Sequence, residues 1–235
     1  HLKIVTWNCN GALRTKIDAI KQIEADIYII QECENTIQSK VIYEKWLPNM
    51  IWKGQNKNKG LAVFAQPDIQ ITQLEWDDAG LELFLPLNIN NHFQLLAVWT
   101  KHANSPTFQY IGQLWKYLQL HKERIQTQPI ILCGDFNSNA RWDVWDRWWN
   151  HSDVVNELKT IEIDSLYHEL CNEEQGTETA ATFFMNRNHQ KNYHIDYLFC
   201  HRSLFSQQYS SVTIFDKDEW LTYSDHLPML FEINT

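Results

Sequence analysis

The sequence predicts an α+β fold in which stacked β-sheets are flanked by helices. Short runs rich in β-branched and aromatic residues recur along the whole chain, as expected for strands. Amphipathic helical patterns lie between some of these runs. Two β-rich halves with interspersed helices favour sheets packed on one another over a single parallel sheet.

The predicted strands share a high content of Ile, Val, Leu, Phe, Tyr and Trp. They cover residues 2–7, 26–30, 60–65, 69–74, 81–89, 93–100, 129–136, 193–200, 212–215 and 228–233. Ile17, Ile20 and Ile23 lie on one face of an early helical pattern, and a longer amphipathic pattern covers residues 107–125. No repeat, low-complexity tract or flexible linker marks a boundary, so we expect one domain over residues 1–235.

Composition excludes some classes of protein and leaves others open. The hydrophobic content of 44% is ordinary for a soluble globular protein. No apolar stretch approaches the roughly 20 residues needed to cross a bilayer. The net charge of −9 argues against sequence-independent binding of long nucleic acid through Lys and Arg. It does not exclude a nuclease, because a metal centre is itself built of carboxylates and supplies local positive charge.

The five cysteines are odd in number and show no CxxC spacing. Neither a disulfide framework nor a zinc knuckle is therefore predicted. We expect reduced thiols in a cytoplasmic protein, and we expect a monomer.

Acidic and amide side chains, together with one histidine, lie at or near the ends of the predicted strands. In chain order these residues are Asn8, Asn10, Glu32, Asp135, Asn137, Asp196, Asp225 and His226. Singly, each has an ordinary alternative: Gly-Asp-Phe-Asn is often a turn, Ser-Asp-His a loop, and a Glu after a strand a helix cap. Together they favour one site, since precise polar groups are usually built at element ends on a rigid scaffold.

These motifs, in this order, resemble the endonuclease/exonuclease/phosphatase superfamily, which includes exonuclease III-like apurinic endonucleases, DNase I, tyrosyl-DNA phosphodiesterases and inositol-polyphosphate phosphatases. The matching segments are Trp7-Asn8-Cys9-Asn10-Gly11, Gln31-Glu32, Gly134-Asp135-Phe136-Asn137, Ile195-Asp196-Tyr197 and Ser224-Asp225-His226. They span nearly the full chain. The resemblance implies a four-layer α/β/β/α sandwich of DNase I type, with two mixed β-sheets packed face to face and helices outside.

The resemblance also implies a metal site for Mg²⁺ or Mn²⁺. Glu32 would be the direct ligand, because these hard cations prefer carboxylate oxygen. Asn8 and Asp225 would assist at or near the ion, and Asn10 would lie just outside it. A zinc site is not expected from this set, which offers no Cys or multiple His ligation.

The catalytic roles implied by the resemblance follow the needs of phosphate ester hydrolysis. Asp135 would orient and deprotonate the attacking water, and Asn137 would hold the nucleophile or a phosphoryl oxygen. His226, when protonated, would stabilise the pentacovalent transition state. Asp196 would pair with His226 and raise its pKa by charge attraction. Asn8 would contribute to catalysis as well as to the metal site.

One position departs from the family pattern. The family usually places a His or Tyr near the end of the strand predicted over residues 93–100, where it contacts the scissile phosphate. We assign this role to His102, with Lys101 and Tyr110 as alternatives. The choice stays open because a slip of one residue reverses which side chains point inward.

Four tryptophans recur at helical spacing shortly after Asn137, namely Trp142, Trp145, Trp148 and Trp149. Such a stripe is more often part of a core than a contact surface. Its closeness to Asp135 nevertheless leaves open a stacking wall for a base or another flat leaving group.

Substrate contacts are predicted at Arg141, Trp142 and His194. Arg141 could contact a phosphate, and Trp142 could stack on a flat group. His194 is included because period-two alternation would put it on the same strand face as Asp196.

Three functions follow from these observations. The first is a metal-dependent phosphodiesterase that acts on nucleic acid, DNA more than RNA, as a nuclease or DNA-end-processing enzyme. The Asn8-Cys9-Asn10-Gly11 segment followed by Leu13-Arg14 favours it, because it resembles the exonuclease III branch more than the lipid phosphatases. The second is a phosphatase or phosphodiesterase for a small metabolite or lipid headgroup. The third is a binding module without catalysis, which the complete set of acids disfavours.

Overall fold

The structure is a computed structural model that describes residues 1–235. Its strands are β1 (Leu2–Asn8), β2 (Ile27–Cys33), β3 (Met50–Asn56), β4 (Lys59–Ala65), β5 (Ile71–Gln73), β6 (Phe84–Ile89), β7 (Phe93–Trp99), β8 (Ile130–Asp135), β9 (Ile163–Ser165), β10 (Phe183–Phe184), β11 (Asn192–Tyr193), β12 (Asp196–His201), β13 (Ser211–Ile214) and β14 (Met229–Ile233). Its α-helices are α1 (Ile17–Ile20), α2 (Lys40–Trp46), α3 (Ile111–Leu120), α4 (Lys122–Ile125), α5 (His151–Thr160), α6 (Leu166–Cys171) and α7 (Lys217–Trp220). No helix is long and apolar enough to cross a membrane.

Two mixed six-stranded sheets form the centre of the molecule. The first has the order β13-β14-β1-β2-β4-β3 and the second the order β5-β6-β7-β8-β12-β9. In each sheet one central pair is parallel, β1 with β2 and β7 with β8, and the other pairs are antiparallel. Strands β10 and β11 form a separate hairpin.

Alternation along the strands divides the hydrophobic side chains among three layers. In β1, Ile4 packs between the two sheets, whereas Val5 packs on the outer face beneath α1, α2 and α7. In β8, Ile131 packs between the sheets, whereas Leu132 packs on the opposite outer face against α3, α4 and α5. Three apolar layers separate four layers of secondary structure, so the predicted four-layer sandwich is confirmed.

The parallel pairs determine where the polar residues meet. Carboxyl ends of parallel strands lie at the same edge, so Asn8 and Gln31, which are in register on β1 and β2, emerge together. On the second sheet Asp135 ends β8 directly opposite Asp196, the first residue of β12. Because β1 packs face to face on β8, both groups of side chains open at one end of the sandwich.

Several predicted elements differ from the structure. The pattern over residues 107–125 forms two shorter helices, α3 and α4, separated at His121. The strand predicted over residues 193–200 is divided into β11 and β12, which belong to different sheets. Strands β3, β9 and β10 were not predicted. Strands β9 and β10 are very short, and β3 has no fully buried residue.

The tryptophan stripe does not form the helix that its spacing suggested, so the core interpretation fails for most of it and the alternative of a contact surface stays open. Residues 140–142 form one turn of 3-10 helix, and α5 begins only at His151. Trp149 is buried, but Trp142, Trp145 and Trp148 are exposed. The helix start is set by a capping box at Asn150 and Asp153, and this Asn-x-x-Asp spacing is a signal that the sequence carried.

Candidate active site

Two backbone features aim the carboxylates into the site. The pairing of β2 with β4 shifts register between Gln31 and Cys33, and Glu32 between them has a φ of 57°. This irregularity takes the Glu32 side chain out of the normal alternation of its strand. Gly134 precedes Asp135 with a φ of 151°, and a Cβ there would lie 1.9 Å from the carbonyl oxygen of Val98. Only glycine allows β8 to approach β7 so closely at this point.

Asn8 joins the acids of the two sheets. Its amide Nδ2 donates to Glu32 Oε2 at 2.7 Å and to Asp135 Oδ2 at 3.0 Å. The orientation of this amide is fixed, because its Oδ1 accepts the backbone N–H of Asn10 at 3.0 Å. Asn10 contributes to the group through this backbone contact, while its own side chain makes no hydrogen bond to the other predicted residues.

His226 lies between three acids. Its Nδ1 is 2.9 Å from Asp196 Oδ2, and its Nε2 is 3.6 Å from Asp135 Oδ2 and 3.9 Å from Asp225 Oδ1. Burial alone would lower the pKa of His226, but the charges of Asp196 and Asp135 outweigh it and raise that pKa to about 10. The imidazole is therefore positively charged at neutral pH, with Nε2 directed toward Asp135 and Asp225.

For Asp135, burial has a larger effect on the pKa than the neighbouring charges do. Burial raises the pKa of Asp135 to about 7, and the charge of His226 opposes this rise. Such a carboxylate gains or loses a proton near neutral pH, as a general base requires. An acidic imidazolium and a basic carboxylate thus lie within one small buried group.

Two buried hydroxyl groups, of Ser224 and Thr182, hold the backbone around these residues in place. Ser224 Oγ donates to the Asn8 carbonyl at 2.6 Å and accepts the His226 backbone N–H at 3.0 Å, so it ties the last motif to the first. Thr182 Oγ1 accepts the backbone N–H groups of Ile195 and Asp196. Thr182 was not predicted from the sequence, because a lone buried Thr in a loop carries no recognisable pattern.

Lys59 is a second residue that the sequence did not reveal. It begins β4, and its Nζ lies 3.0 Å from Glu32 Oε1. The hydrogen bond and charge of Glu32 raise the pKa of Lys59, and the charge of Asp225 adds to this effect. Glu32 and Asp225 therefore direct negative charge into the same space.

The residues present fit a hard divalent cation at Glu32. The donors there are the carboxylate oxygens of Glu32 and Asp225, whereas Asn8 turns its Nδ2 toward Glu32 and positions that carboxylate. The nearby Cys9 thiol has its pKa raised to about 12 by burial and stays protonated. Lys59 already supplies one positive charge at this position. A second group, Asp135, Asp196 and His226, also offers ligand atoms within 4.8 Å of one another. A protonated imidazole is a poor ligand, so we favour the Glu32 position.

Asn137 lies at the rim of the site. Its backbone N–H donates to Asp135 Oδ1 at 2.9 Å, and its Nδ2 donates to the Thr100 carbonyl at 3.0 Å. Its φ of 45° is a left-handed conformation that Asn tolerates better than most residues. Its amide is therefore held close to Asp135, on the strand end that carries it.

The residues predicted to contact the scissile phosphate from the segment after β7 make no hydrogen bond or ion pair with the acids and His226. His102 is exposed in the loop after β7, and its side chain makes no hydrogen bond. Lys101 Nζ lies 4.9 Å from the centroid of the Trp99 ring, and Tyr110 is exposed just before α3. All three roles remain predictions.

The three predicted substrate residues have different surroundings. Arg141 and Trp142 are exposed and both contact the ring of Tyr193. His194 is buried, with Nδ1 2.9 Å from the Ala180 carbonyl. The argument that placed His194 on the face of Asp196 was wrong, because the chain leaves β11 at Tyr193 and β12 begins only at Asp196.

Fold and site together define a hydrolase of phosphate esters built on a two-sheet sandwich. The model of the Endonuclease/Exonuclease/phosphatase family matches residues 5–226. The chain belongs to this family, as its motifs predicted. A search of curated proteins finds no match.

Solved structures share the fold at low sequence identity. A 3′ phosphatase, NExo, from Neisseria bound to a product DNA hairpin matches with a TM-score of 0.70 and 15% identity, over 100% of both chains. An AP endonuclease from Archaeoglobus fulgidus matches with a TM-score of 0.67 and 17% identity, also over 100% of both chains. Truncated Caenorhabditis elegans TDP2 matches with a TM-score of 0.67 and 15% identity, over 98% of this chain and 96% of that chain.

Proposed function

We propose that this chain is a divalent-metal-dependent phosphoesterase that hydrolyses phosphodiester bonds in nucleic acid, as a nuclease or a DNA-end-processing enzyme. The observation that carries the proposal is the hydrogen-bonded connection of Glu32 to Asp135 through Asn8, with the Asp196–His226 pair beside it. Residues distant in sequence, from both sheets, supply a cation site, a base and an acid in one place.

Glu32 would hold Mg²⁺ or Mn²⁺ with help from Asn8 and Asp225. When bound, the metal would neutralise charge on the phosphoryl oxygens and assist the leaving oxygen. Asn8 keeps the Glu32 carboxylate in place and separates it from Asp135. Its bridging amide also prevents the two acids from closing directly on each other.

Asp135 would accept the proton of the attacking water, since its carboxylate is buried and its pKa lies near neutrality. His226 would donate a hydrogen bond from Nε2 to the phosphoryl oxygen on which negative charge develops. Asp196, bonded to Nδ1, orients the ring and keeps it charged. Asn137, held by Thr100, would position the nucleophile or a second phosphoryl oxygen.

Charge at the rim of the site supports a polyanionic substrate. Although the whole chain carries −9, Lys16, Arg187 and Arg141 form no ion pair with a carboxylate. Burial lowers the pKa of Lys16, and the positive charge of Arg187 adds to this effect. Two structural relatives, a 3′ phosphatase bound to a DNA hairpin and an AP endonuclease, also favour DNA.

A substrate panel tests the proposal. Wild type and an Asp135→Asn variant are assayed with Mg²⁺ on an abasic DNA duplex, single-stranded DNA, RNA and phosphoinositides. We expect cleavage of at least one DNA substrate by wild type, faster than RNA, and a loss of about 10² to 10⁴ in rate in the variant. Turnover of phosphoinositides without turnover of nucleic acid would contradict a nucleic-acid substrate and favour a lipid headgroup instead. No turnover of any phosphoester would favour a binding module.

A further inference from the structure

The segment after the catalytic strand β8 exposes an unusual amount of aromatic surface. Within residues 140–149, here called the Trp loop, Trp145 is 95% exposed, Trp148 62% and Trp142 44%. Large exposed aromatic groups next to a catalytic centre commonly mark a contact surface. These three side chains are not equivalent, because they differ in their contacts.

Only Trp142 is connected to the catalytic histidine by a line of rings. Its ring centroid lies 5.3 Å from Tyr193, Tyr193 lies 6.2 Å from Phe183, and Phe183 lies 4.8 Å from His226. Trp145 makes no aromatic contact. The aromatic side chains of the β10–β11 hairpin, Phe183 and Tyr193, thus form a continuous aromatic wall from His226 to Trp142.

Arg141 adds a positive charge to this wall. Its guanidinium lies 5.2 Å from the centroid of the Tyr193 ring and pairs with no carboxylate. Its backbone N–H is fixed by Asn139 Oδ1 at 2.9 Å, so the position of the loop here is well defined. The cation is therefore available for an anionic ligand, next to two aromatic faces.

A small cavity of about 80 Å³ opens beside Arg141 and Tyr193 and is also lined by Asn139, His194 and Glu178. The Glu178 carboxylate is engaged, because it accepts hydrogen bonds from Asn139 Nδ2 and from the Gly176 backbone N–H. His194 is 4% exposed, and its Nε2 is buried without a hydrogen-bond partner. Because Nδ1 is next to the Ala180 carbonyl and donates to it, Nε2 is an acceptor. The Arg141 and Tyr193 side of the cavity thus combines a cation that pairs with no carboxylate and an aromatic face, which suit a ligand that carries negative charge and a flat face.

We propose that Arg141, Trp142 and Tyr193 bind an unpaired nucleotide on the same strand as the scissile phosphate. The base stacks on Trp142, and Arg141 contacts the neighbouring phosphate. Each ring contact in the wall is 4.8 to 6.2 Å, and successive nucleotides rise by about 3.4 Å even when stacked. A base within a few nucleotides of the cleaved bond can therefore reach Trp142. The inference rests on the proposed function and adds a preference for single-stranded ends.

Charge in the Trp loop argues against an anionic lipid surface as the occupant. Arg141 and Arg147 are balanced by Asp143 and Asp146, so the loop as a whole gains no attraction to anionic headgroups. Arg147 is also engaged with Asn150 and stacks on Trp149. Arg141 is the one cation of this loop that faces the aromatic wall.

The test measures binding to a DNA duplex with a single-stranded overhang and to the matching blunt duplex. Fluorescence anisotropy is recorded in an Asp135→Asn background, so that substrate is not consumed. Trp142→Ala is expected to weaken overhang binding about 5- to 100-fold, and Trp142→Phe to retain most of it. Binding of the blunt duplex should change little. Trp145→Ala is the matched control in the same loop and should leave both affinities near those of the background protein.

A scan of abasic spacers through the overhang supplies the second readout. In the background protein, one spacer position should weaken binding by a similar factor, and in Trp142→Ala that position should have no further effect. Equal losses in Trp142→Ala and Trp145→Ala would show that the whole loop docks and would overturn the inference. So would binding to anionic vesicles that Trp142→Ala abolishes while overhang binding in that variant is unchanged. Failure of the proposed function would appear separately, as no nucleic-acid turnover in the substrate panel.

Discussion

Removal of divalent metal by EDTA is expected to abolish phosphodiester turnover, with a loss of at least about 10³-fold, and Mg²⁺ or Mn²⁺ is expected to restore it. The reason is that Glu32 and Asp225 contribute two negative charges to one space and Lys59 offsets only one of them, so a phosphate needs further positive charge to approach. The measurement is steady-state hydrolysis of bis-p-nitrophenyl phosphate by metal-stripped protein. Full activity in the chelated sample would refute metal dependence.

Zinc serves as the control for metal identity. The Glu32 position offers carboxylate oxygens, without the thiolate or multiple imidazole ligands that zinc prefers. Zn²⁺ should therefore restore less activity than Mg²⁺ or Mn²⁺ at equal concentration. Restoration by Zn²⁺ alone would point to the other acid cluster, which includes His226.

Asp196→Asn and His226→Ala are each expected to lower kcat by about 10² to 10⁴, and the double variant should resemble His226→Ala alone. Asp196 acts by orienting and charging the imidazole 2.9 Å away, so once the imidazole is gone its carboxylate has nothing left to support. The measurement is a double-mutant cycle at saturating metal with one substrate. Costs that simply multiply would mean that the two residues act independently.

The pH profile gives the same pair an independent readout. In the proposed mechanism the protonated form of His226 is the active one, so activity should fall as pH rises through the pKa of His226, which is about 10 in the intact protein. Asp196→Asn removes a charge that raises this pKa, so the alkaline limb of kcat/KM should move to lower pH. Asp164→Asn is the matched control, because Asp164 is also a buried acid of the second sheet but pairs with Arg202 instead. Its alkaline limb should not move.

Much of the fold was predictable because burial imposes simple patterns. The central strands β1, β2, β7 and β8 are buried on both faces, and long apolar runs in the sequence revealed them. Strand β10 has two residues and owes its existence to pairing with β11, which no local pattern encodes. The break between β11 and β12 was missed for a similar reason, since the change of sheet depends on tertiary contacts.

The site was predictable to the extent that its residues stand in contiguous motifs at strand ends. Asp135 and Asn137 are only two residues apart, and Asp225 and His226 are adjacent. Lys59 could not be found in this way, because it meets Glu32 through the pairing of β2 and β4 and has no motif around it. The core interpretation was given more weight for the tryptophan stripe because helical spacing suggests a buried face even where no helix forms.

The most direct test of the proposed metal centre is a Mn²⁺ titration followed by the electron paramagnetic resonance signal of the free ion. Glu32→Gln keeps the shape of the side chain but removes its negative charge, and it should weaken Mn²⁺ binding by more than about 10-fold. Glu34→Gln is the matched control, since Glu34 lies two residues further on and pairs with Arg14 outside the site. We expect wild type and Glu34→Gln to bind alike and Glu32→Gln to bind weakly. An unchanged titration in Glu32→Gln would contradict the account.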